Sequence, residues 1–420
     1  MSTRQVVIVG GGFGGLGSLK ALYQSFPKHL KIQVTLLDPA DHQLYYPWVY
    51  QVASAGLTST DPNFEAALTT LTTFDYSNWS GYKNTNHYRE ELVGIDQDRR
   101  TVLTASGRSF YFDTLLLAIG STHQDFSIPG LTDNSIPLKN LEDALKIRTS
   151  LSKLVVRAQA GEQLTVAVIG AGPNGIEFIT KLAHVLPHYL GANCLGSIKL
   201  QLLDPASTIG RFLSPKLSQN FETRLTQLKI DLLLGRRLVG FKNATGNFTL
   251  PNGHQEKISA DLFIWSAGVK PWPITNTLGL ALDERGRIKV NEHLQTSISG
   301  IFAVGDTAVV SWDGGISNPP TAQAAHSFSR IAGFNLTAYL LHRPLSSVPK
   351  KIIWSLICTT GGNYACGNLW GWSFSSRLGF SLRCLADLRY FLFSWSVFRA
   401  LKIWLKGVRF FLIENKYGHS

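Results

Sequence analysis

Val6-Val7-Ile8-Val9-Gly10-Gly11-Gly12-Phe13-Gly14-Gly15-Leu16 decides the fold, and the chain carries its design twice. A helix-like stretch follows, then the strand-like run Ile32-Gln33-Val34-Thr35-Leu36-Leu37, which ends on Asp38. Further on, Leu164-Thr165-Val166-Ala167-Val168-Ile169-Gly170-Ala171-Gly172-Pro173-Asn174-Gly175-Ile176-Glu177 opens the second copy. It closes on Ile198-Lys199-Leu200-Gln201-Leu202-Leu203-Asp204. Strand, glycine turn, helix, strand and acid form a complete dinucleotide-binding βαβ unit in each case. The first glycine permits a tight turn, the second admits the pyrophosphate, and the third lets helix and strand pack closely. The helix N-terminus then offers free N–H groups to the phosphates. Asp38 and Asp204 are placed to accept hydrogen bonds from a ribose diol. A carboxylate at Asp204 repels a 2′-phosphate and so favours NAD(H) over NADP(H), a preference that Arg211, seven residues on, would soften.

Composition narrows the class. A chain of 420 residues exceeds what one hydrophobic core usually serves, so two or three domains are expected. With 44% hydrophobic and 16% charged residues it is neither disordered nor fibrous. The 4 Cys, at 194, 358, 366 and 384, show no CxxC spacing. That excludes a disulfide scaffold, a zinc ribbon and a CxxC redox dithiol, and it suits a reducing compartment. No metal-ligand spacing occurs either, so no metal is expected. The opening residues lack a secretory signal, and no run of about 18 uncharged apolar residues predicts a membrane-spanning helix. A formal charge of +12 calls for an anionic partner.

Further strand-and-turn runs are Phe110 to Ser121, with a glycine at Gly120, and Ala260 to Gly268. A late run, Gly300-Ile301-Phe302-Ala303-Val304-Gly305-Asp306-Thr307, suggests that one nucleotide domain is inserted in the other. In this order the landmarks, spread over residues 5 to 330, resemble the glutathione-reductase-like flavoproteins with two dinucleotide-binding domains. Within them the chain is similar to the type II NADH:quinone oxidoreductases, the non-pumping NADH dehydrogenases. Three segments carry this: His42-Gln43-Leu44-Tyr45-Tyr46-Pro47-Trp48-Val49-Tyr50-Gln51-Val52-Ala53, the Gly170 to Glu177 turn, and Pro320-Thr321-Ala322-Gln323-Ala324-Ala325.

The resemblance implies an α/β protein with two Rossmann-like domains and the cofactors FAD and NADH. FAD would occupy residues 1–125 and 290–335, and NAD(H) residues 150–285. FAD contacts would come from Gly10, Gly12, Phe13, Gly14, Gly15, Asp38, Gly120, Asp306, Ala322 and Gln323. NAD contacts would come from Gly170, Gly172, Pro173, Asn174, Gly175, Glu177, Asp204 and Gly268. Glu177 and Gln323 are the expected catalytic pair, Glu177 orienting NADH or relaying protons to quinone and Gln323 bonding a quinone or flavin carbonyl. Glu177 also reads as a first-turn acid that stabilises its helix, and Asp306 as an N-cap. His326 is a candidate proton donor. Tyr45, Tyr46, Trp48 and Tyr50 line a cavity or fill a core, and Cys358, Cys366 and Cys384 are packing residues. The chain departs from the family at Ser327, where a Gln is usual. It departs again at Trp354 to Gly362, where a short charged stretch with a lysine near the quinone is usual. Disulfide reductases need a Cys pair near the FAD helix, yet the first 193 residues hold no Cys. Sulfide:quinone reductases need a cysteine where Asn174 stands.

Residues 340–420 form a C-terminal region with its own signature. Residues 376–420 hold eight Lys or Arg against Asp387 and Glu414, which is +6 of the total +12. Arg399, Lys402, Lys406 and Arg409 make one helical stripe, and Val397, Phe398, Leu401, Trp404, Leu405, Val408, Phe411 and Leu412 the opposite arc. A basic, aromatic amphipathic helix of this kind suits the headgroup plane of an anionic lipid surface, through residues 376–412. Nucleic acid would explain the charge and not the apolar arc. The expected protein is a peripheral membrane enzyme on the cytosolic face of the cell membrane, with a membrane quinone as acceptor and a homodimer as a common state of the fold. The alternatives are a reductase of a protein or other non-quinone acceptor, and a flavin-based NADH sensor.

Overall fold

In a computed structural model, the described residues are 3–416 apart from 60, 80–83, 192–195, 211–212, 311–317, 350–351, 353 and 370. Arg211 and Cys194 lie outside them. The chain divides into two compact units. One comprises residues 1–45, 73–122 and 269–352; the other comprises 46–72, 123–268 and 353–420.

The first unit is built on a five-stranded parallel sheet, in the order Ile301–Ala303, Thr114–Leu117, Arg4–Val9, Ile32–Asp38, Thr85–Arg89. Residues 6–9 of its central strand and the strand Thr114–Leu117 are buried on both faces, which suits their apolar runs. The helix Phe13–Ser25 lies so close to the helix Ala322–Leu340 that a Cβ on Gly333 would stand 2.3 Å from the Ser18 carbonyl oxygen. The unit also carries a three-stranded antiparallel sheet, Leu92–Asp96, Thr101–Thr104 and Ser109–Tyr111.

The second unit repeats the plan. Its parallel sheet runs Ile136–Pro137, Leu262–Trp265, Leu164–Ile169, Ile198–Asp204, Asp231–Leu234. Its antiparallel sheet is Arg237–Lys242, Thr245–Thr249 and Gln255–Ser259. The chain then adds a third small sheet, Leu356–Thr359, Ala365–Leu369 and Trp372–Ser376, followed by the helices Arg377–Ser394 and Val397–Lys416. No described helix is long and apolar enough to cross a membrane.

The last helix docks through Trp48, which is 1% exposed. The indole packs edge-on against Phe391 and Phe411, with ring centroids 5.3 and 5.1 Å away. Gly407 lies against the same indole, and a Cβ there would sit 2.2 Å from it. Farther along, Lys181 and His184 of the Pro173–Leu190 helix bond the side chain and backbone of Asn415, and Tyr189 bonds Glu414. Gly407→Leu should therefore lift this helix off the unit, at a cost of about 1–3 kcal/mol from overpacking. Limited proteolysis checks it: new early cleavage within 397–416 is expected, and a wild-type digestion pattern would refute the packing.

Candidate nucleotide and acid–base sites

Both glycine turns close in the same way. Gly10 takes φ +100°, and its Cβ position falls 2.2 Å from the Ala118 carbonyl oxygen. Gly170 takes φ +115°, with Ser266 backbone atoms 2.6 Å away. A Cβ at Gly15 would lie 1.8 Å from the Gly10 oxygen, and one at Gly175 would lie 2.1 Å from the Gly170 oxygen. Only glycine meets these demands. Gly12 and Gly172 differ, since nothing stands within 4 Å of their Cβ positions. Each is the N-cap of its helix, and no side chain caps either one. Elsewhere Asn140, Ser214, Thr321 and Ser376 do cap their helices. An uncapped helix start beneath an open glycine fits a pyrophosphate in both units.

The acids are preorganised too. Asp38 accepts from Gly11 N at 2.6 Å and Ala40 N at 2.8 Å; Asp204 accepts from Ala171 N and Ala206 N, both at 2.8 Å. Each holds both oxygens in place beside its turn. Burial raises the pKa of Asp38 above the usual carboxylate value, against the pull of these amides and the Tyr76 hydroxyl. In the first unit Phe13 is buried and stacks near Tyr45, at 5.7 Å between centroids. Gly14 touches Val304, and Gly120 turns at φ +70°. Asp306 is not an N-cap: a strand, Ala308–Val310, follows it, and its carboxylate accepts from Ser121 Oγ at 2.7 Å. In the second unit Pro173 is the first helical residue, Asn174 is exposed, and Gly268 turns at φ +88°.

Glu177 is not in the first turn, because its helix starts at Pro173. It lies one turn in and is buried. Oε1 accepts from Thr359 N at 3.1 Å, and the Thr359 hydroxyl is 3.4 Å away. That hydroxyl in turn bonds the Tyr50 hydroxyl at 2.7 Å. Burial pushes the Glu177 carboxyl up to about 7, while the Arg383 guanidinium, 4.0 Å from Oε1, pulls it back. Arg383 also pairs with Asp387, which accepts from Trp48 Nε1 at 3.1 Å. Trp48, Tyr50, Thr359, Arg383, Asp387 and Phe411 line a small cavity beside this network, with room for about one water molecule.

Ala322 and Gln323 open a helix capped by Thr321 in the first unit, with Gln323 exposed and His326 half-buried. Glu177 belongs to the second unit. The aromatic cluster divides: Tyr45 is core of the first unit and Tyr46 is exposed, while Trp48 and Tyr50 are cavity walls of the second. Sequence reading missed Arg383, Asp387 and Thr359. Among the described residues no group of three His, Cys, Asp or Glu could hold a metal.

The family model for pyridine nucleotide-disulphide oxidoreductases matches residues 4–327, which covers both turns, both acids and Asp306. The chain belongs to this family. Among related members, a type II NADH:quinone oxidoreductase of Haemophilus influenzae is 27% identical over 373 residues, 82% of each chain. A demethylphylloquinone reductase of a Synechocystis species is 27% identical over 350 residues, 81% of each chain. In fold, the chain is similar to NDH2 from Plasmodium falciparum in complex with NADH, with a TM-score of 0.78 at 16% identity, over 96% of this chain and 98% of that one.

Proposed function

We propose that this family member oxidises NADH through FAD and reduces a quinone at a membrane surface, without pumping protons. The carrying observation is a second, complete nucleotide turn followed one turn later by a buried carboxyl that accepts from the Thr359 amide and that burial pushes up to about 7. The names of the Haemophilus and Synechocystis relatives support the same acceptor class. FAD is assigned to the Gly10 turn with Asp38 and Asp306, and NADH to the Gly170 turn with Asp204, in a domain inserted within the FAD domain. Bound FAD supplies the chemistry that accepts a hydride from NADH and passes two electrons to the acceptor.

Reducing a quinone to a quinol takes two electrons and two protons. Hydride oxidation of NADH delivers both electrons and one proton, so one more proton must come from an acid. Burial pushes the Glu177 carboxyl up to about 7, close to the working pH at which an acid–base group is most effective. Glu177 gives its proton and recovers another from solvent. Asp204, with both oxygens already fixed beside the turn, favours a free 2′-hydroxyl and hence NADH.

Anaerobic NADH followed by a short-chain quinone tests the reading. Flavin absorbance should bleach and then recover rapidly. Bleaching without recovery would refute quinone as the acceptor and favour a protein acceptor or a sensor.

Membrane attachment is part of the same proposal. The outward side of the last two helices exposes Leu378, Leu385, Val397, Phe398, Leu405 and Ile413, and Phe398 reaches 83% exposure. Lys402, Lys406 and Arg409 are exposed on the same helix as Phe398. Bulky apolar groups beside cations suit an anionic bilayer surface. Replacing Phe398 and Leu405 together by Glu should weaken co-sedimentation with phosphatidylglycerol vesicles at least about tenfold, since each charge must leave the acyl boundary. Unchanged sedimentation would refute this surface.

A further inference from the structure

The acid Glu177 is held by groups that come from four separate stretches of the second unit. Its own helix places the carboxyl; Thr359, on the strand Leu356–Thr359, fixes Oε1 through its amide. Arg383, on the helix Arg377–Ser394, approaches the same oxygen at 4.0 Å. One turn later on that helix, Asp387 takes the other side of the guanidinium, and Trp48 Nε1 anchors Asp387 at 3.1 Å. The side chains of Arg383 and Asp387 are 13% and 5% exposed, so solvent screens this pair little. The guanidinium pairs closely with Asp387 and stands at ion-pair distance from Glu177, so its charge acts on both buried carboxylates.

Resting on the reading of Glu177 as the proton donor, we infer that Arg383 is its positioning residue: clamped by Asp387 and Trp48, it fixes where the Glu177 carboxyl points and when it releases its proton. The titratable and charged groups facing Glu177 are Arg383 and Asp387 from the helix Arg377–Ser394, Tyr50 from the helix Val49–Ser54, and Cys358 from the strand beside Thr359. Burial and the neighbouring Glu177 charge keep Tyr50 and Cys358 protonated well above neutrality. Arg383 favours the ionised form of Glu177, and Asp387 opposes it. The two partners therefore act in opposite senses. A packing role alone would give no such opposition, because loss of either partner would loosen the site in the same direction.

Infrared difference spectra recorded against pH read the protonated carboxyl of Glu177 directly, and the band absent in Glu177→Gln is the one to follow. In Arg383→Gln its midpoint should rise by at least about one pH unit, and in Asp387→Asn it should fall by a similar amount. Arg383→Lys keeps the charge and loses the fork, so it should restore most of the midpoint but not the wild-type turnover at saturating quinone. The NADH-dependent quinone rate, profiled against pH, should follow the infrared midpoint in each variant. Unmoved midpoints, or midpoints moving the same way in Arg383→Gln and Asp387→Asn, would overturn the assignment. Midpoints that move as stated while the quinone rate ignores them would uphold the clamp and refute Glu177 as proton donor.

Discussion

On the proposed role of Glu177, Glu177→Gln should lower NADH-driven quinone turnover by about 10²-fold or more, the usual loss when a positioned proton donor is removed. The amide keeps the size of the side chain and can still accept from Thr359, so the protein folds and the defect falls on the proton step. The pH profile decides the cause: the wild-type rate should decline as pH rises through the Glu177 value of about 7, and the variant should lose that limb. Stability carries the same signature with a defined sign. The folded-state pKa is raised above the ordinary 4.5, so the folded protein binds the extra proton between those values. Stability is therefore greatest below about pH 4.5 for this group and falls as pH rises toward 7, by up to about 3 kcal/mol. Glu177→Gln should flatten that slope in urea unfolding, and equal slopes in both proteins would show that the carboxyl does not titrate in this range.

The second large effect separates folding from cofactor binding within one turn. Gly15→Val forces a branched side chain into a place where even a Cβ would stand 1.8 Å from the Gly10 oxygen. Helix and strand cannot both keep their places, so the variant loses FAD and unfolds several kcal/mol more easily. Gly12→Ala meets no protein atom within 4 Å. It should fold with near wild-type stability yet occupy the path of the pyrophosphate, lowering FAD affinity at least about tenfold, or about 1.4 kcal/mol. Flavin absorbance per chain and unfolding midpoints, measured on both variants, test this. A Gly12→Ala protein with full flavin content would exclude that approach for the phosphates.

The nucleotide turns were legible in the sequence because everything they need is local. Glycine spacing, the apolar strand and the closing acid lie within about thirty to forty residues, and the physics of the turn fixes their roles. Glu177 was visible for the same reason, as the residue two past Gly175. Its partners were not, since Thr359, Arg383 and Asp387 follow about two hundred positions later and Trp48 precedes it by more than a hundred. No periodicity announces that a helix near the C-terminus will bring a guanidinium to an acid on another helix. Residues 46–72 show the same limit: sequence order placed them with the first nucleotide turn, whereas they pack in the second unit.

The C-terminal helix was half legible. Its amphipathic pattern was plain, but Phe411 was grouped with the outward apolar arc, and the structure buries it against Trp48. The inward face is Ala400, Gly407, Phe411, Glu414 and Asn415, a narrow stripe that contains a glycine, an acid and an amide. A hydrophobic wheel undervalues such a stripe. The glycine opposite a large indole and the acid opposite a tyrosine were the available signals, and each needs its distant partner to be read.

The docking of that helix bears on how its exposed apolar side could be removed. Cutting the chain before residue 397 would remove the exposed apolar residues of the last helix, but it would also strip Asn415 from Lys181 and Glu414 from Tyr189. Lys181 is almost wholly buried, and burial lowers its pKa to about 8. Without its partners it would become an unsatisfied amine inside the unit. Shortening thus damages the interior that it was meant to leave alone. Substituting the outward residues one by one, with the tail kept whole, is the route compatible with this architecture.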